Sequence, residues 1–228
     1  MLSRTSLTVL IMSKISSVLI YRIPLSKIDK HKPQNKNNNL PCINAKNEFS
    51  VGLYFCSLIF KKDFGFINKK YIFNASGKPT LESEKYGFSI SYTNDHAYIA
   101  IVRNDIIGLD AEQVNNIDLS VSKEFMSERE LLKLKESTNK YGYFYRIWTL
   151  KESYVKLIGT GIDNTIADIE LIEDKNGKFS LAKEVEQKVY FNSVVIKDCI
   201  ISVATFNFMN YEIVDFASTK EFLNKYDH

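Results

Sequence analysis

The segment I-I-G-L-D-A-E-Q-V, Ile106 to Val114, restricts the possible folds of this chain more than any other stretch. It is short and apolar at its start, which reads as a strand, and in a strand side chains two apart share a face. Asp110 and Glu112 therefore stand side by side, with Ala111 turned the other way. Two adjacent carboxylates repel each other unless a cation or a basic side chain lies between them, and hard oxygen donors suit Mg²⁺. A strand end running into solvent with two hydrated carboxylates satisfies the same pattern.

The natural counterpart is W-T-L-K-E-S-Y-V-K-L-I-G-T-G, Trp148 to Gly161. A helix is expected from Tyr141 to Ile158, because Phe144, Ile147, Trp148, Lys151, Val155 and Ile158 recur at helical spacing. Gly159 or Gly161 would end it. Trp148, Glu152 and Lys156 fall on one stripe of that helix. An exposed Glu-to-Lys pair is the plain reading of the stripe. The only tryptophan of the chain begins it among apolar residues, however, so the stripe starts at the edge of the core and Glu152 comes within reach of a metal site.

Strands are expected at Phe88 to Ile90 and Ala97 to Val102 around the polar turn at residues 93–96, then at Ile106 to Glu112 after a tight Asn104-Asp105 turn, as one antiparallel meander. A helix is expected around Ser122 to Ser137, and β-rich segments at Ile166 to Ile172, Lys188 to Ile196, Ile200 to Phe206 and Tyr211 to Phe216. Upstream, Leu7 to Ile20 reads as a buried strand and Phe49 to Phe60 as a buried helix, joined by a polar, Asn-rich loop at residues 30–47. A weaker version of the second half's element order precedes it in the first half, too faint to establish a repeat from sequence. The expected fold class is α+β, with two lobes of similar size divided at residues 1–104 and 105–228.

Composition narrows the function classes. The 228 residues are 45% hydrophobic and 25% charged, ordinary for a globular protein and too apolar for a disordered one. Up to Asn104 there are 15 Lys+Arg against 6 Asp+Glu, and beyond it 15 against 21. A basic lobe beside an acidic one suits a polyanion held at their junction together with a cation, although two solvated surfaces give the same balance. Three cysteines, Cys42, Cys56 and Cys199, form neither a disulfide framework nor a zinc motif and fit a reducing cytoplasm. The N-terminal apolar stretch is too short and too interrupted to span a bilayer. No recognised nucleic-acid motif accompanies the basic half, so neither nucleic acid nor membrane is an expected partner.

G-L-D-A-E at Gly108 to Glu112 and W-T-L-K-E-S-Y-V-K-L-I-G-T-G at Trp148 to Gly161 together resemble the two signature motifs of the 4′-phosphopantetheinyl transferases, in particular the two-lobed surfactin-synthetase type. Between them, F-M-S-E-R-E at Phe125 to Glu130 resembles the family's F-S-x-x-E element. Upstream, Gly77-Lys78-Pro79 is similar to its G-K-P, and F-S-I-S-Y-T at Phe88 to Thr93 to its F-N-x-S-H-S. Two departures stand out: Tyr92 replaces a histidine and cannot carry positive charge near neutral pH, and no first-lobe arginine can be placed. The family's opening Pro-Leu-Ser step is similar to Pro24 to Ser26, which makes Met12 an expected start.

The resemblance implies two α/β lobes in pseudo-twofold relation. It implies transfer of the 4′-phosphopantetheine group from coenzyme A to a serine of an acyl or peptidyl carrier protein, releasing 3′,5′-ADP, in a cytoplasmic monomer. Asp110, Glu112 and Glu152 would bind Mg²⁺, Glu130 would accept the serine proton, and Lys156 would stabilise charge on the departing group, as would Glu152 through the metal. Lys78, Ser91, Tyr92 and Lys46 would contact coenzyme A. A degenerate relative that binds coenzyme A or a carrier without catalysis is the alternative.

Overall fold

A computed structural model describes residues 17–25, 48–67, 70–83, 85–161 and 164–227. The loop expected at residues 30–47, with Lys46, and most of the strand expected from Leu7 lie outside the described residues. The first sheet contains β1 (Ser17–Pro24), β4 (Tyr86–Tyr92) and β5 (His96–Arg103), in the order β1-β5-β4 with antiparallel pairing throughout. Between β1 and β4 the chain forms α1 (Glu48–Phe64) and a short hairpin, β2 (Tyr71–Phe73) with β3 (Pro79–Leu81).

The second half repeats this plan. Strand β6 (Ile107–Gln113) is followed by α2 (Glu128–Glu136), α3 (Lys140–Ile158) and a second short hairpin, β7 (Leu171–Glu173) with β8 (Phe179–Leu181). Strands β9 (Tyr190–Ile196) and β10 (Cys199–Thr205) complete a sheet ordered β6-β10-β9, again antiparallel. Strand order, helix position and hairpin position are the same in both halves. The last two elements return to the first sheet: β11 (Asn210–Asp215) pairs in parallel with β1, and α4 (Thr219–Tyr226) packs beside α1. The carboxylate of Asp63 on α1 holds that return, accepting hydrogen bonds from the hydroxyls of Tyr21 at 2.7 Å and Tyr226 at 2.8 Å.

Alternation along the strands dictates the layering. Leu19, Tyr21, Ile23, Ile99 and Ile101 face α1, whereas Val18, Ile20, Tyr98, Ala100 and Val102 face the second sheet. From that sheet Ile107, Leu109, Ala111, Ile201 and Val203 meet them, so the two sheets lie back to back with a helix on each outer side. The other face of β6, carrying Gly108, Asp110 and Glu112, is turned to α3. Gly108 is what lets the helix come so near. A methyl group at position 108 would sit 1.8 Å from the Ser153 carbonyl oxygen and 2.5 Å from the Leu157 nitrogen.

Four sequence expectations need correction. Strand β6 does not continue the meander of β4 and β5: a turn with Asn104 at φ 54° sends it into the second sheet, beside β10. The helix expected at Ser122 to Ser137 is two pieces, a 3₁₀ turn at Leu119–Glu124 and α2, because Phe125 and Met126 turn into the core and Ser127 caps a new helix. The strand expected from Ile166 opens as a 3₁₀ turn, Asn164–Asp168. Ile158 is 41% exposed, since α3 ends there and leaves the core. Helix α3 itself runs as expected, with Asn139 as N-cap and Gly159 left-handed at φ 74°.

Replacing Gly108→Ala forces the α3 backbone away from β6. Overpacking of this kind costs about 1–3 kcal/mol, so chemical denaturation should show a loss in at least that range. Unchanged stability would mean that the helix is free to move outward.

Candidate functional site

Each acidic residue of the site owes its position to the close seam of β6 and α3. Asp110 and Glu112 project from β6 toward the helix, and Glu152 and Lys156 project back from it. Lys156 Nζ lies 2.7 Å from Asp110 Oδ1 and 3.3 Å from the Ser91 hydroxyl. Ser91 donates to the same Asp110 oxygen at 2.9 Å. The second oxygen of Asp110, Oδ2, and Oε1 of Glu152 are buried with no hydrogen-bond partner among the described residues.

That arrangement is electrostatically loaded. Burial first, and then the charge of Asp110, push Glu112 up to about 7, with a hydrogen bond from Trp148 pulling the other way. Burial and Asp110 likewise push Glu152 up to about 7, opposed by Lys156. One ammonium therefore faces three carboxylates that cannot all ionise cheaply. Among the described residues no group of three or more His, Cys, Asp or Glu side chains is gathered closely enough to hold a metal ion as placed. Lys156 takes the position beside Asp110 that a cation would take. The donor chemistry nonetheless fits a hard divalent ion: three carboxylates, two of them with an orphaned buried oxygen, where an unpaired polar atom is costly.

The first sheet reaches this cluster through β4. Its Ser89 and Ser91 hydroxyls accept hydrogen bonds from the backbone N–H groups of Leu109 at 3.0 Å and Ala111 at 3.2 Å. Two side chains thus replace a ladder between the adjoining edge strands β4 and β6. Tyr92 turns to the opposite side of β4, toward α1, where its hydroxyl fills the space beside Gly52: a methyl at that glycine would lie 2.0 Å from the oxygen. Lys78 is half-buried at the seam, its ammonium bonded to backbone carbonyls at the start of β6 and the end of α3. A cavity of about 280 Å³ opens between these elements, lined by Lys78, Ser89, Ile90, Tyr92, Val155 and Lys156, among others. A larger cleft of about 700 Å³ lies elsewhere on the second lobe, lined by Lys133, Tyr143, Arg146 and Asp198, and holds none of the sequence-read site residues.

The structure brings Asp110, Glu112, Glu152, Lys156 and Ser91 together, and Lys156 also lines the cavity that Lys78 and Tyr92 line. It does not bring Glu130 among them. Glu130 is 1% exposed and fully engaged: Oε2 accepts from Ser127 N at 2.8 Å and pairs with Lys151 Nζ at 2.8 Å, and Oε1 accepts from Leu171 N at 2.8 Å. The expected proton acceptor is thus the third residue of a capping box whose N-cap is Ser127. The signal for this was in the sequence, since S-x-x-E before an apolar run is a capping signature. Lys151, left unassigned from sequence, is its buried counter-ion and also donates to the Phe125 carbonyl. Burial lowers the Lys151 pKa while Glu130 raises it again.

Two measurable consequences follow from these groups. Glu112 and Glu152 have folded-state pKa values above the usual carboxylate value near 4.5. The native state therefore holds more protons than the unfolded one, and the associated stability is full below about pH 4.5 and lost as pH rises through about 7. The metal-free Tm of the wild type should accordingly fall, relative to a Glu112→Gln/Glu152→Gln variant, between pH 5 and pH 8, values on the order set by those shifts. Parallel Tm curves would show that the two carboxyls are not strained. Separately, Lys151→Met leaves Glu130 buried and uncompensated, and breaking such a pair costs about 3–5 kcal/mol, readable by urea denaturation.

The sequence pattern of the 4′-phosphopantetheinyl transferase superfamily matches residues 106–204, from β6 through β10. The 4′-phosphopantetheinyl transferase gsp of Aneurinibacillus migulanus is 34% identical over 91 residues, 39% of this chain and 38% of that protein. For 4′-phosphopantetheinyl transferase Sfp of Bacillus subtilis (strain 168) the identity is 28% over 124 residues, 53% of each chain. This chain thus spans about half the length, or less, of those two relatives. It covers 69% of the shorter holo-[acyl-carrier-protein] synthase of Nautilia profundicola, with 34% identity over 82 residues, 32% of this chain. Motif, seam and relatives converge on one conclusion: the chain belongs to the 4′-phosphopantetheinyl transferase superfamily.

Proposed function

We propose that this protein transfers the 4′-phosphopantetheine group of coenzyme A to a serine of an acyl or peptidyl carrier protein, releasing 3′,5′-ADP. The observation that carries the reading is the meeting of three carboxylates, two with orphaned buried oxygens, with Lys156 beside a cavity at the seam of the two sheets. The cavity suits part of coenzyme A, its apolar wall formed by Ile90, Tyr92 and Val155. Asp110, Glu112 and Glu152 would hold Mg²⁺, which supplies charge neutralisation at the pyrophosphate.

The chain's own residues divide the remaining work. Lys156, which now neutralises Asp110, faces the phosphates and stabilises negative charge on the departing group, the main requirement in phosphoryl transfer. Ser91 fixes the Asp110 carboxylate by its hydrogen bond. Lys78 adds positive charge on the side of the first lobe, residues 1–104, which would also contribute Lys46, and the second lobe, 105–228, carries the carboxylates. We assign Glu130 to positioning, because its pair with Lys151 joins α2, α3 and the start of β7. A basic first lobe also favours the approach of an acidic carrier, and the site as read needs no second subunit.

Intact mass of several apo carriers, acyl and peptidyl, after incubation with this protein, coenzyme A and Mg²⁺ tests the reading. A gain of one phosphopantetheine group, abolished by a chelator, is the expected result. Glu152→Ala should remove the gain while leaving the thermal transition in place, and near-normal turnover in that variant would exclude it as a metal ligand. Coenzyme A binding with no mass gain on any carrier would favour a degenerate relative.

A further inference from the structure

The end of α3 poses a problem that the helix cannot solve alone, because the last carbonyls of any helix lack intrahelical partners. Gly159 meets one of them, its N–H bonding the Val155 oxygen at 2.8 Å. Those of Lys156 and Leu157, and that of the C-cap Gly159, are met from the first lobe, by the turn that joins β2 to β3. Asn74 Nδ2 and the Ser76 hydroxyl both donate to the Gly159 carbonyl, at 2.8 and 2.7 Å. Lys78 Nζ donates to the carbonyls of Lys156, Leu157 at 3.5 Å and Ile107 at 3.2 Å.

The turn is built for this contact. Asn74 Oδ1 accepts from the N–H groups of Ser76 at 3.1 Å and Lys78 at 2.8 Å, which shapes the loop before it meets the helix. Gly159 and Gly161 are left-handed, and methyl groups there would lie 2.8 Å from Asn74 Nδ2 and 3.0 Å from Ser76 Cβ. A cation at a helix C-terminus is also favourably placed in the helix dipole. The ammonium of Lys78 has three hydrogens, and three carbonyls take them.

We propose that the Asn74–Lys78 turn is a latch that fixes the end of α3, and with it Lys156, against β6, and that Lys78 acts in it as a positioning residue instead of a coenzyme A phosphate ligand. One of the carbonyls that Lys78 holds belongs to Lys156 itself, so the latch acts on the residue whose ammonium meets Asp110. Burial, and then the charge of Lys156, lower the Lys78 pKa to about 8, while the carbonyls that accept its hydrogens favour the charged form. The catalytic consequence rests on the transferase reading; the structural one does not.

Asn74→Asp is the discriminating variant. It keeps the oxygen that shapes the turn, removes the donor to Gly159, and alters no residue that lines the cavity. Lys78→Met and the pair Ser76→Ala and Ser76→Thr complete the set. Transfer to a carrier is measured with coenzyme A varied at saturating Mg²⁺, coenzyme A affinity by calorimetry, and hydrogen exchange at amides 155–161. We expect Asn74→Asp and Lys78→Met to lower kcat by about 10-fold, the scale of small misplacements of a reacting group, with KM and affinity for coenzyme A held within about 2-fold. Amides 155–161 should exchange faster in both, and Ser76→Thr should restore what Ser76→Ala loses. A phosphate-ligand role would show instead as weakened coenzyme A affinity in Lys78→Met with kcat and exchange unchanged. Wild-type exchange and kcat in Asn74→Asp would overturn the latch. If the wild type transfers nothing to any carrier, the transferase reading fails, while the exchange comparison still decides the latch.

Discussion

The contact on which the rest depends is that of Gly108 with the backbone of α3 at Ser153 and Leu157. A helix normally packs on a sheet through intervening side chains; here the strand presents none, and Ser153 is small and fully buried. This nearness turns a two-residue carboxylate motif on β6 into a cluster that includes Glu152 and Lys156, one turn apart on the helix. Further along the seam the same proximity is kept by the Thr149 and Ser202 hydroxyls at 2.7 Å. Small and hydroxylated residues therefore occur where the site requires close approach, and large apolar ones where it does not.

Closeness of this kind concentrates charge, and the protein treats its two buried acid–base groups differently. Glu130 and Lys151 are balanced one to one and further bonded to backbone groups, which is how a buried pair becomes tolerable. Asp110, Glu112 and Glu152 are left with a single ammonium and two orphaned oxygens. The first arrangement is closed and holds helices together. The second is incomplete, and incompleteness at a seam beside a cavity is what distinguishes a site from a scaffold.

Much of this was legible in the sequence because period and chemistry coincide. The alternation of Asp110, Ala111 and Glu112 and the four-residue spacing of Trp148, Glu152 and Lys156 each fix a face, and the faces that meet are the ones expected. Helix α3 was legible through Gly159, whose left-handed conformation needs glycine. Pairing partners were not legible. The turn at Asn104 looks like a hairpin turn, and nothing local reveals that β6 leaves for another sheet, since its partner β10 lies some ninety residues on, a separation read directly from the register. Helix α4 passed unread although Ser218 caps it by accepting from Glu221 N, as Ser127 accepts from Glu130 N in α2, because it is only eight residues long and begins soon after a strand.

The same limit explains why the motifs alone do not separate a chemical role from a positioning role at Glu130 and Lys78. A motif says that a residue type is needed at a position, and need can come from chemistry or from satisfaction of buried polar groups. Glu130 is 1% exposed and its two oxygens already accept two backbone N–H groups and one ammonium, and an ammonium with three carbonyl acceptors has its three hydrogens already directed. Asp110 and Glu152 differ because their accounts do not close. The two orphaned oxygens are the atoms to which the proposed Mg²⁺ would give a partner.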